Sequence, residues 1–272
     1  MSEIKQSIKR ILHRTGLYAP VHQIWVKRPD IRLSMYNFGY RLAGAADGLP
    51  IPPTRLIRFV KSSGEIAGYL KNGEVGRDGI VNALLSVGYH IENFERVLDF
   101  GCGCGRMIRR WKSVTGPHFY GTDVNPELIH WCQAKLANLA DFKINRFTPP
   151  LDYPAEYFDL IYSISVFTHI GELAQEAWMG ELYRVLMKSG VLIITVHGKW
   201  RINDLSPDEQ SRFNSGHLVV KYENFEGSNL CATYHPEAYV RNNLAKNFKV
   251  LSFLETGAID VGQDMYVLSK IS

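Results

Sequence analysis

Short apolar runs alternate with helically spaced apolar positions along most of the chain, from about residue 78 onward. The short runs predict buried β-strands. Between them, apolar residues recur three and four positions apart, which is the spacing of one face of an α-helix. Strands that alternate with helices predict a mostly parallel sheet with helices on both faces. The predicted strands are residues 96–100, 118–123, 141–147, 158–165, 190–196, 248–253 and 264–268, and the main helices between them are 126–140 and 172–187.

The first 32 residues are basic and contain an apolar helical face that Gly16 and Pro20 bring to an end. Two interpretations are open for this segment. A basic amphipathic helix can lie on an anionic membrane surface. It can equally dock on the rest of the protein with its basic face in water. The apolar residues of the face are Ile4, Ile8, Ile11 and Leu12.

Residues 33–60 predict a loop-like aromatic segment. Aromatic residues alternate over positions 36–40, and glycines and prolines follow them. Such a segment is expected either as a lid or substrate wall, or as a strap packed over the core. After a helix capped by Thr54, a second helix is predicted to begin at Asp78 and to lead into the first strand.

These patterns divide the chain into an N-terminal helical and aromatic extension, residues 1–77, and an α/β domain, residues 78–272. Within the domain, residues 198–235 show no sustained period. An insertion of this length in a compact domain is either functional or without fixed structure.

A glycine-rich stretch follows the first predicted strand directly. Gly101, Gly103 and Gly105 alternate with other residues, and a helical pattern resumes at Met107. Strand, glycine turn and helix are typical of nucleotide binding, because residues without side chains let the backbone approach a ligand. A dinucleotide-binding turn has its third glycine three positions after the second, whereas Arg106 stands there in this chain. A tight turn without a ligand is the alternative.

With Asp99 two positions before the first glycine, this stretch resembles the first motif of class I S-adenosylmethionine-dependent methyltransferases. The resemblance covers about residues 78–272, with 198–235 outside the common pattern. It implies a Rossmann-like, doubly wound, mostly parallel seven-stranded sheet with an antiparallel last strand. It also implies S-adenosylmethionine as cofactor and S-adenosylhomocysteine as product. Asp99 would help to hold the ammonium group of the cofactor, and the turn would wrap its amino acid part through Gly101, Cys102, Gly103 and Gly105.

Asp123 ends the second strand, 22 residues after Gly101. A carboxylate at about this distance from a glycine loop can accept two hydrogen bonds from a ribose. In the family this position binds the cofactor ribose, and Val124 would border the adenine. The alternative is a cap for the following helix, from Asp123 or Asn125. The family often has an acidic residue near the third strand, but this chain offers Asn145 instead.

The fourth strand ends in a Ser-Ile-Ser-Val-Phe-Thr-His stretch that resembles a version found in many bacterial methyltransferases. Ligands of open α/β sheets bind beyond the carboxyl ends of the strands, which places Ser163 and Ser165 on the cofactor side. His169 is a candidate general base, because an unperturbed imidazole accepts protons near neutral pH. Its alternative roles are a helix cap or packing beneath the cofactor. His197, after the fifth strand, is the second candidate base, and Tyr234, His235 and Gln263 are weaker ones.

The composition argues against several other classes. No apolar run reaches the ~20 residues that span a bilayer, and the N-terminus lacks the basic start and apolar core of a secretory signal, so a cytoplasmic protein is predicted. The four cysteines suggest neither a disulfide framework nor a metal site, since Cys132 and Cys231 have no partners at ligand spacing.

The predicted reaction is methyl transfer to an oxygen or nitrogen of a small molecule or a sugar or glycan. A formal charge of +4 and the absence of an Asn-Pro-Pro-Tyr motif argue against a nucleic-acid partner. An RNA or protein methyltransferase and a non-catalytic cofactor-binding module remain alternatives. A nicotinamide-dependent oxidoreductase would need the glycine spacing that is missing. The oligomeric state stays open.

Overall fold

The computed structural model describes residues 30–271, and seven of the strands in this part of the chain form one sheet. The N-terminal helix predicted over residues 4–12 lies outside the described residues. The strands are β1 (Arg96–Phe100), β2 (His118–Asp123), β3 (Asp141–Ile144), β4 (Phe158–Ser163), β5 (Leu186–Val196), β6 (Val219–Lys221), β7 (Ala232–Tyr234), β8 (Phe248–Ala258) and β9 (Gln263–Lys270).

The helices alternate with these strands after an N-terminal helical region. They are α1 (Ile31–Ala43), α2 (Thr54–Val60), α3 (Ile66–Leu85), α4 (Pro126–Lys135), α5 (Glu172–Val185), α6 (Pro207–Asn214) and α7 (Glu237–Tyr239). Short 3-10 turns occur at Ile91–Asn93, Ile108–Trp111, Phe167–His169, Lys199–Asp204 and Glu223–Phe225, and a π-helical turn occurs at Val240–Leu244.

The strand order is β3-β2-β1-β4-β5-β9-β8. The pairs from β3 to β5 are parallel, and β9 runs antiparallel to both β5 and β8. This confirms the predicted fold class, including the antiparallel last strand. Because the order reverses beside β1, the carboxyl ends of β1 and β4 border a crevice, which is where ligands of doubly wound sheets bind.

Alternate residues of the central strands face opposite layers, as the pleat requires. On β5, Val191 and Ile193 pack in the cluster that contains α3 and α4 residues. Leu192 and Ile194 pack in the cluster that contains α5 residues. The sheet is therefore covered on both faces, which explains why its central strands are almost continuously apolar.

Two local predictions in the N-terminal region are wrong. Residues 33–43, predicted as part of a loop-like segment, belong to helix α1, which begins where the Asp30 carboxylate accepts a hydrogen bond from the Leu33 amide at 3.0 Å. The helix predicted to start at Asp78 starts at Ile66 and crosses the predicted boundary between residues 77 and 78. Gly73 allows this long helix to approach the backbone after the glycine turn, since an added Cβ would lie 2.6 Å from the Arg106 carbonyl oxygen.

The insertion at residues 198–235 contains regular structure that its sequence did not indicate. It holds α6 and the antiparallel pair β6–β7. The Gly227 amide donates to the His169 carbonyl oxygen at 2.9 Å, so the insertion lies against the loop that follows β4. None of the helices within residues 30–271 is long and apolar enough to cross a membrane.

Candidate cofactor and substrate site

A cavity of about 520 Å³ opens at the carboxyl ends of β1, β2 and β4. Its size is in the range of pockets that enclose a small ligand, roughly 300–1,000 Å³. Most of the residues predicted to bind the cofactor line it, although they come from separate strand ends. The lining members of this predicted set are Asp99, Gly101, Cys102, Gly103, Asp123, Val124, Asn145 and Ser165, and the candidate base His169 lines the cavity as well.

The glycine turn that forms one wall requires glycine for conformational reasons. The φ angles of Gly101, Gly103 and Gly105 are +84°, +56° and +74°, in the region that L-residues avoid. A Cβ on Gly103 would also lie 2.4 Å from a methyl group of Val60, and one on Gly101 would lie 2.3 Å from a methyl group of Val166. Gly105 does not line the cavity, but it allows the same turn.

Asp99 lies at the end of β1, beside Gly121 of β2 and Tyr162 of β4 in the sheet register. Its side chain is buried at the cavity, and its Oδ2 has no hydrogen-bond partner within residues 30–271. Burial raises the pKa of this carboxyl to about 8, against the lowering effects of the Arg106 charge and the Tyr162 hydroxyl. A buried carboxyl oxygen without a partner is a site that a ligand cation can complete.

Asp123 lies at the end of β2 and joins two parts of the cavity wall. Its Oδ2 accepts a hydrogen bond from the Gly103 amide at 2.9 Å, and its Oδ1 accepts one from the Asn125 amide at 2.8 Å. Burial raises the pKa of the Asp123 carboxyl, and these two bonds lower it again in part. The cap of α4 is Asn125, which accepts from the Glu127 amide.

We expect Asp123→Ala to weaken S-adenosylhomocysteine binding by at least about tenfold, because two hydrogen bonds to a charged acceptor are lost. Calorimetric titration measures this directly. Asp141→Ala is the matched control. Asp141 is exposed at the start of β3, the end away from the cavity, and forms an ion pair with His118. Equal affinities of the Asp123 variant and the wild type would refute the ribose assignment.

Asn145 follows β3 and carries a second unsatisfied polar atom at the cavity. Its Nδ2 donates to the Arg146 carbonyl oxygen at 2.8 Å, whereas its buried Oδ1 has no partner within the described chain. Its backbone amide donates to the Asp123 carbonyl oxygen at 3.1 Å, which holds the residue beside the predicted ribose position. The neighbouring Phe147 also lines the cavity. An amide acceptor and an aromatic ring suit a purine base.

His169 lines the cavity in one defined tautomer. Its Nδ1 lies 2.7 Å from the Cys231 carbonyl oxygen, and a carbonyl only accepts, so Nδ1 carries the proton. The other ring nitrogen, Nε2, therefore keeps its lone pair. Burial lowers the pKa of His169, more than the bond to Cys231 raises it, so the ring is neutral at physiological pH. These are the properties of a proton acceptor.

We expect His169→Ala to leave cofactor binding intact and to slow methyl transfer by about 100-fold, the usual contribution of a general base. His169→Asn is the matched variant, because its amide can still donate to the Cys231 carbonyl oxygen while the basic nitrogen is lost. Both variants should be slow in initial-rate assays. Normal turnover in His169→Asn would remove His169 as the base.

Two of the predicted site residues lie behind the cavity wall. Ser163 is fully buried at the end of β4, and His197 is buried after β5 with its ring centroid 6.3 Å from that of His169. Burial, and next the nearby His169, lower the pKa of His197 to about 3. The roles of His197 as a base and of Ser163 as a cofactor ligand stay predictions.

A buried polar network holds Ser165 in place at the cavity. Its φ of +64° is unusual for a residue with a side chain. The Thr195 hydroxyl oxygen accepts from the Ser165 amide at 2.8 Å, and the Gln263 amide donates to the Ser165 hydroxyl at 2.8 Å. Thr195 in turn donates to the Gln263 Oε1 at 2.7 Å. Thr195 and Gln263 therefore stabilise a backbone conformation that is otherwise strained.

Two segments cover the cavity with residues that the sequence did not single out, although a lid or substrate wall was one of the two expectations for residues 33–60. Arg58, Phe59 and Val60 line it from α2, and residues 225–230 line it from the insertion. The two segments meet where the Asn229 amide donates to the Phe59 carbonyl oxygen at 2.6 Å. The available signals were the length of the insertion and the aromatic, glycine- and proline-containing composition of residues 33–60, since the apolar residues of α2 follow an ordinary helical pattern.

Known proteins provide an independent comparison. Residues 98–194 match the methyltransferase domain family. A malonyl-[acyl-carrier protein] O-methyltransferase of Salmonella typhimurium is 30% identical over 124 residues, which are 46% of this chain and 47% of that protein. A sterol 24-C-methyltransferase of Saccharomyces cerevisiae is 29% identical over 168 residues, which are 59% of this chain and 41% of that protein. The chain thus spans less than half the length of each of these relatives.

A solved structure agrees in fold. An S-adenosylmethionine-dependent methyltransferase from Mesorhizobium loti superimposes with a TM-score of 0.54 at 14% identity, covering 72% of this chain and 100% of that one. The sheet order is that of the Rossmann-like methyltransferase fold, and the segment from β1 to β5, which includes the glycine turn, is the part that matches the methyltransferase domain family. The unpartnered carboxyl oxygen of Asp99 and the unpartnered amide oxygen of Asn145 fit the cationic and purine ends of S-adenosylmethionine.

Proposed function

We propose that this protein binds S-adenosylmethionine and transfers a methyl group to an oxygen or nitrogen of a small molecule or sugar. The observation that carries the proposal is the placement of Asp99 and Asp123 on either side of one glycine turn, both lining the same cavity. When bound, the cofactor supplies an electrophilic methyl group on sulfur. The protein then has to align the acceptor with that methyl group and to exclude water.

Each cavity residue has a separate task in this proposal. Asp99 holds the ammonium group, Asp123 holds the ribose hydroxyls, and Asn145 accepts a hydrogen bond from the adenine. His169 takes the proton from the acceptor through Nε2. The covering segments, Arg58–Val60 and 225–230, keep bulk water away.

The covering segments also support a small acceptor. Their polar groups that line the cavity, such as Glu226, Ser228 and Asn229, suit the hydroxyls of a sugar or the amine of a metabolite. Charge argues against RNA, because the whole chain carries a formal charge of only +4, a small excess for binding a phosphate backbone. By their names, the two curated relatives act on a malonyl-acyl carrier protein and on a sterol carbon, which are unlike acceptors.

The test is incubation with S-adenosylmethionine that carries a deuterated methyl group, together with metabolite and glycan extracts. We expect mass spectrometry to find one small product that gains the labelled methyl group, and Asp99→Asn not to form it. Label found only in RNA or protein would overturn the proposed acceptor class. Cofactor binding without any labelled product would instead indicate a binding module.

A further inference from the structure

Helix α1 presents a stripe of large apolar side chains to solvent. Its four members are spaced four, three and four residues apart, so they lie along one side of the helix. They are at least 60% exposed. Exposed apolar residues scattered singly are ordinary, but a continuous stripe marks a surface that binds something. The members of the stripe are Ile31, Met35, Phe38 and Leu42, with exposures of 77%, 74%, 60% and 73%.

The opposite side of α1 is firmly attached, so the outward direction of the stripe is fixed. Asn37 is 2% exposed, donates to the Gly64 carbonyl oxygen at 3.1 Å and accepts from the Ile66 amide at 3.0 Å. Arg41 donates to the carbonyl oxygens of Ile51 and Pro52 at 3.1 and 2.8 Å. Helix α1 is therefore held in place by its other side, and the apolar stripe faces solvent in the folded protein.

Positive charge is concentrated in the same part of the chain. Residues 1–42 contain eight lysines and arginines and two acidic residues, whereas the remaining 230 residues contain 23 basic and 25 acidic ones. All of the net positive charge thus precedes Ala43. Helix α1 itself contains no acidic residue, and Arg32 is exposed beside the stripe. Such an asymmetry points to a negatively charged partner.

We propose that α1 forms a peripheral binding surface for an anionic lipid bilayer. The stripe enters the boundary between head groups and acyl chains, and the basic residues attract the anionic head groups. The combination favours lipid over other occupants. A second copy of the chain would bring the same positive charge against itself, and a nucleic acid would leave the apolar stripe exposed.

Helix α2 lies between the apolar stripe of α1 and the cavity. Asp30, the cap of α1, lies 3.5 Å from the Arg58 guanidinium of α2. Arg58, Phe59 and Val60 of α2 line the cavity. A bilayer bound to α1 would therefore lie next to the covering segment of the site.

The test is co-sedimentation of the full chain with vesicles of phosphatidylcholine, alone or with about 30% phosphatidylglycerol. We expect at least about tenfold stronger binding to the anionic vesicles, and loss of most of that preference between about 0.1 M and 1 M salt, because salt screens the attraction. The triple variant Met35→Gln/Phe38→Gln/Leu42→Gln should bind at least about tenfold more weakly.

Leu173→Gln/Ile259→Gln is the matched control, since these exposed apolar residues, 85% and 76%, lie outside α1. It should bind vesicles as the wild type does. Equal melting temperatures of the triple variant and the wild type would show that the loss is not unfolding. The proposal would be overturned if the wild type bound neutral and anionic vesicles equally well. It would also be overturned if the triple variant bound anionic vesicles as strongly as the wild type does. A wild-type dimer that the triple variant converts to a monomer, without vesicle binding, would assign the stripe to a second copy.

Discussion

Replacing Asp99 with asparagine is expected to weaken S-adenosylhomocysteine binding by about 100-fold or more. A buried carboxylate opposite a ligand ammonium contributes a hydrogen bond and an ion pair in a site shielded from water, and the loss of one member of such a pair is costly. The neutral amide of asparagine has nearly the same shape, so the cavity would keep its volume. Calorimetry at pH 8, where about half of the wild-type carboxyl is ionised, measures the difference.

The same substitution is expected to stabilise the ligand-free protein. Burial raises the pKa of Asp99 to about 8, well above the ~3.9 of an unfolded aspartate. A carboxyl whose pKa is higher in the folded protein contributes its full stabilisation of the fold only below the pKa of the unfolded chain. This stabilisation is lost as the pH rises through the pKa of the folded protein. The wild type should therefore lose stability relative to Asp99→Asn between about pH 4 and pH 8.

Thermal melts at several pH values test this relation. The melting temperatures should be similar near pH 4, and the variant should be more stable by several degrees near pH 8. Asp141→Asn, at an exposed position, should show no such pH-dependent difference. A stability difference that does not change with pH would contradict the proposed burial of an uncompensated carboxyl.

Asp47→Ala is expected to destabilise the protein by about 3–5 kcal/mol, which is the usual cost of removing one partner from a buried ion pair. The side chain of Arg109 is fully buried. Its Nε and Nη2 each donate to one carboxylate oxygen of Asp47 at 2.7 Å. Without Asp47 the guanidinium loses its charged partner and keeps neutral ones, among them the carbonyl oxygens of Leu49 and Pro50. The melting temperature should fall by about 10 °C.

The effect of Asp47→Ala should depend on pH in the opposite direction to that of Asp99→Asn. Burial alone would raise the pKa of Asp47. The hydrogen bonds from Arg109 and from the Leu49 amide lower it by more, so the pKa lies below the usual value of an aspartate. The carboxylate therefore stabilises the fold above about pH 4, and this contribution is lost as pH falls. Asp152→Ala, which removes an exposed pair with Lys143, should cost less than about 1 kcal/mol. Equal losses in the two variants would show that residues 44–53 are not held by this pair.

The central sheet could be predicted because its pattern is local. Each strand is a short apolar run, and the turn after β1 needs glycine wherever φ is positive, as at Gly101 and Gly103. Asp99 and Asp123 could be placed on one edge, because parallel strands end on the same side of a sheet. The cavity residues at strand ends were therefore accessible from sequence.

The particular residues that cover the cavity and the exposed face of α1 could not be predicted, because tertiary contacts determine them. Helix α1 exposes its apolar stripe, so its pattern lacks the polar outer face that marks an ordinary surface helix. Asn229 meets Phe59 across 170 residues of chain, which no local pattern records. Likewise, nothing near His197 in sequence indicated that it would lie behind Ser165 and Gln263 rather than at the cavity.

Titration of the wild-type chain with S-adenosylhomocysteine and, separately, with NAD tests the central claim most directly. We expect saturable binding of S-adenosylhomocysteine at one site, with release of a proton near pH 7 as the Asp99 carboxyl ionises, and no binding of NAD. The proton is detected by comparing binding heats in buffers of different ionisation enthalpy. Absence of S-adenosylhomocysteine binding to the folded protein, or binding of NAD in its place, would contradict the account.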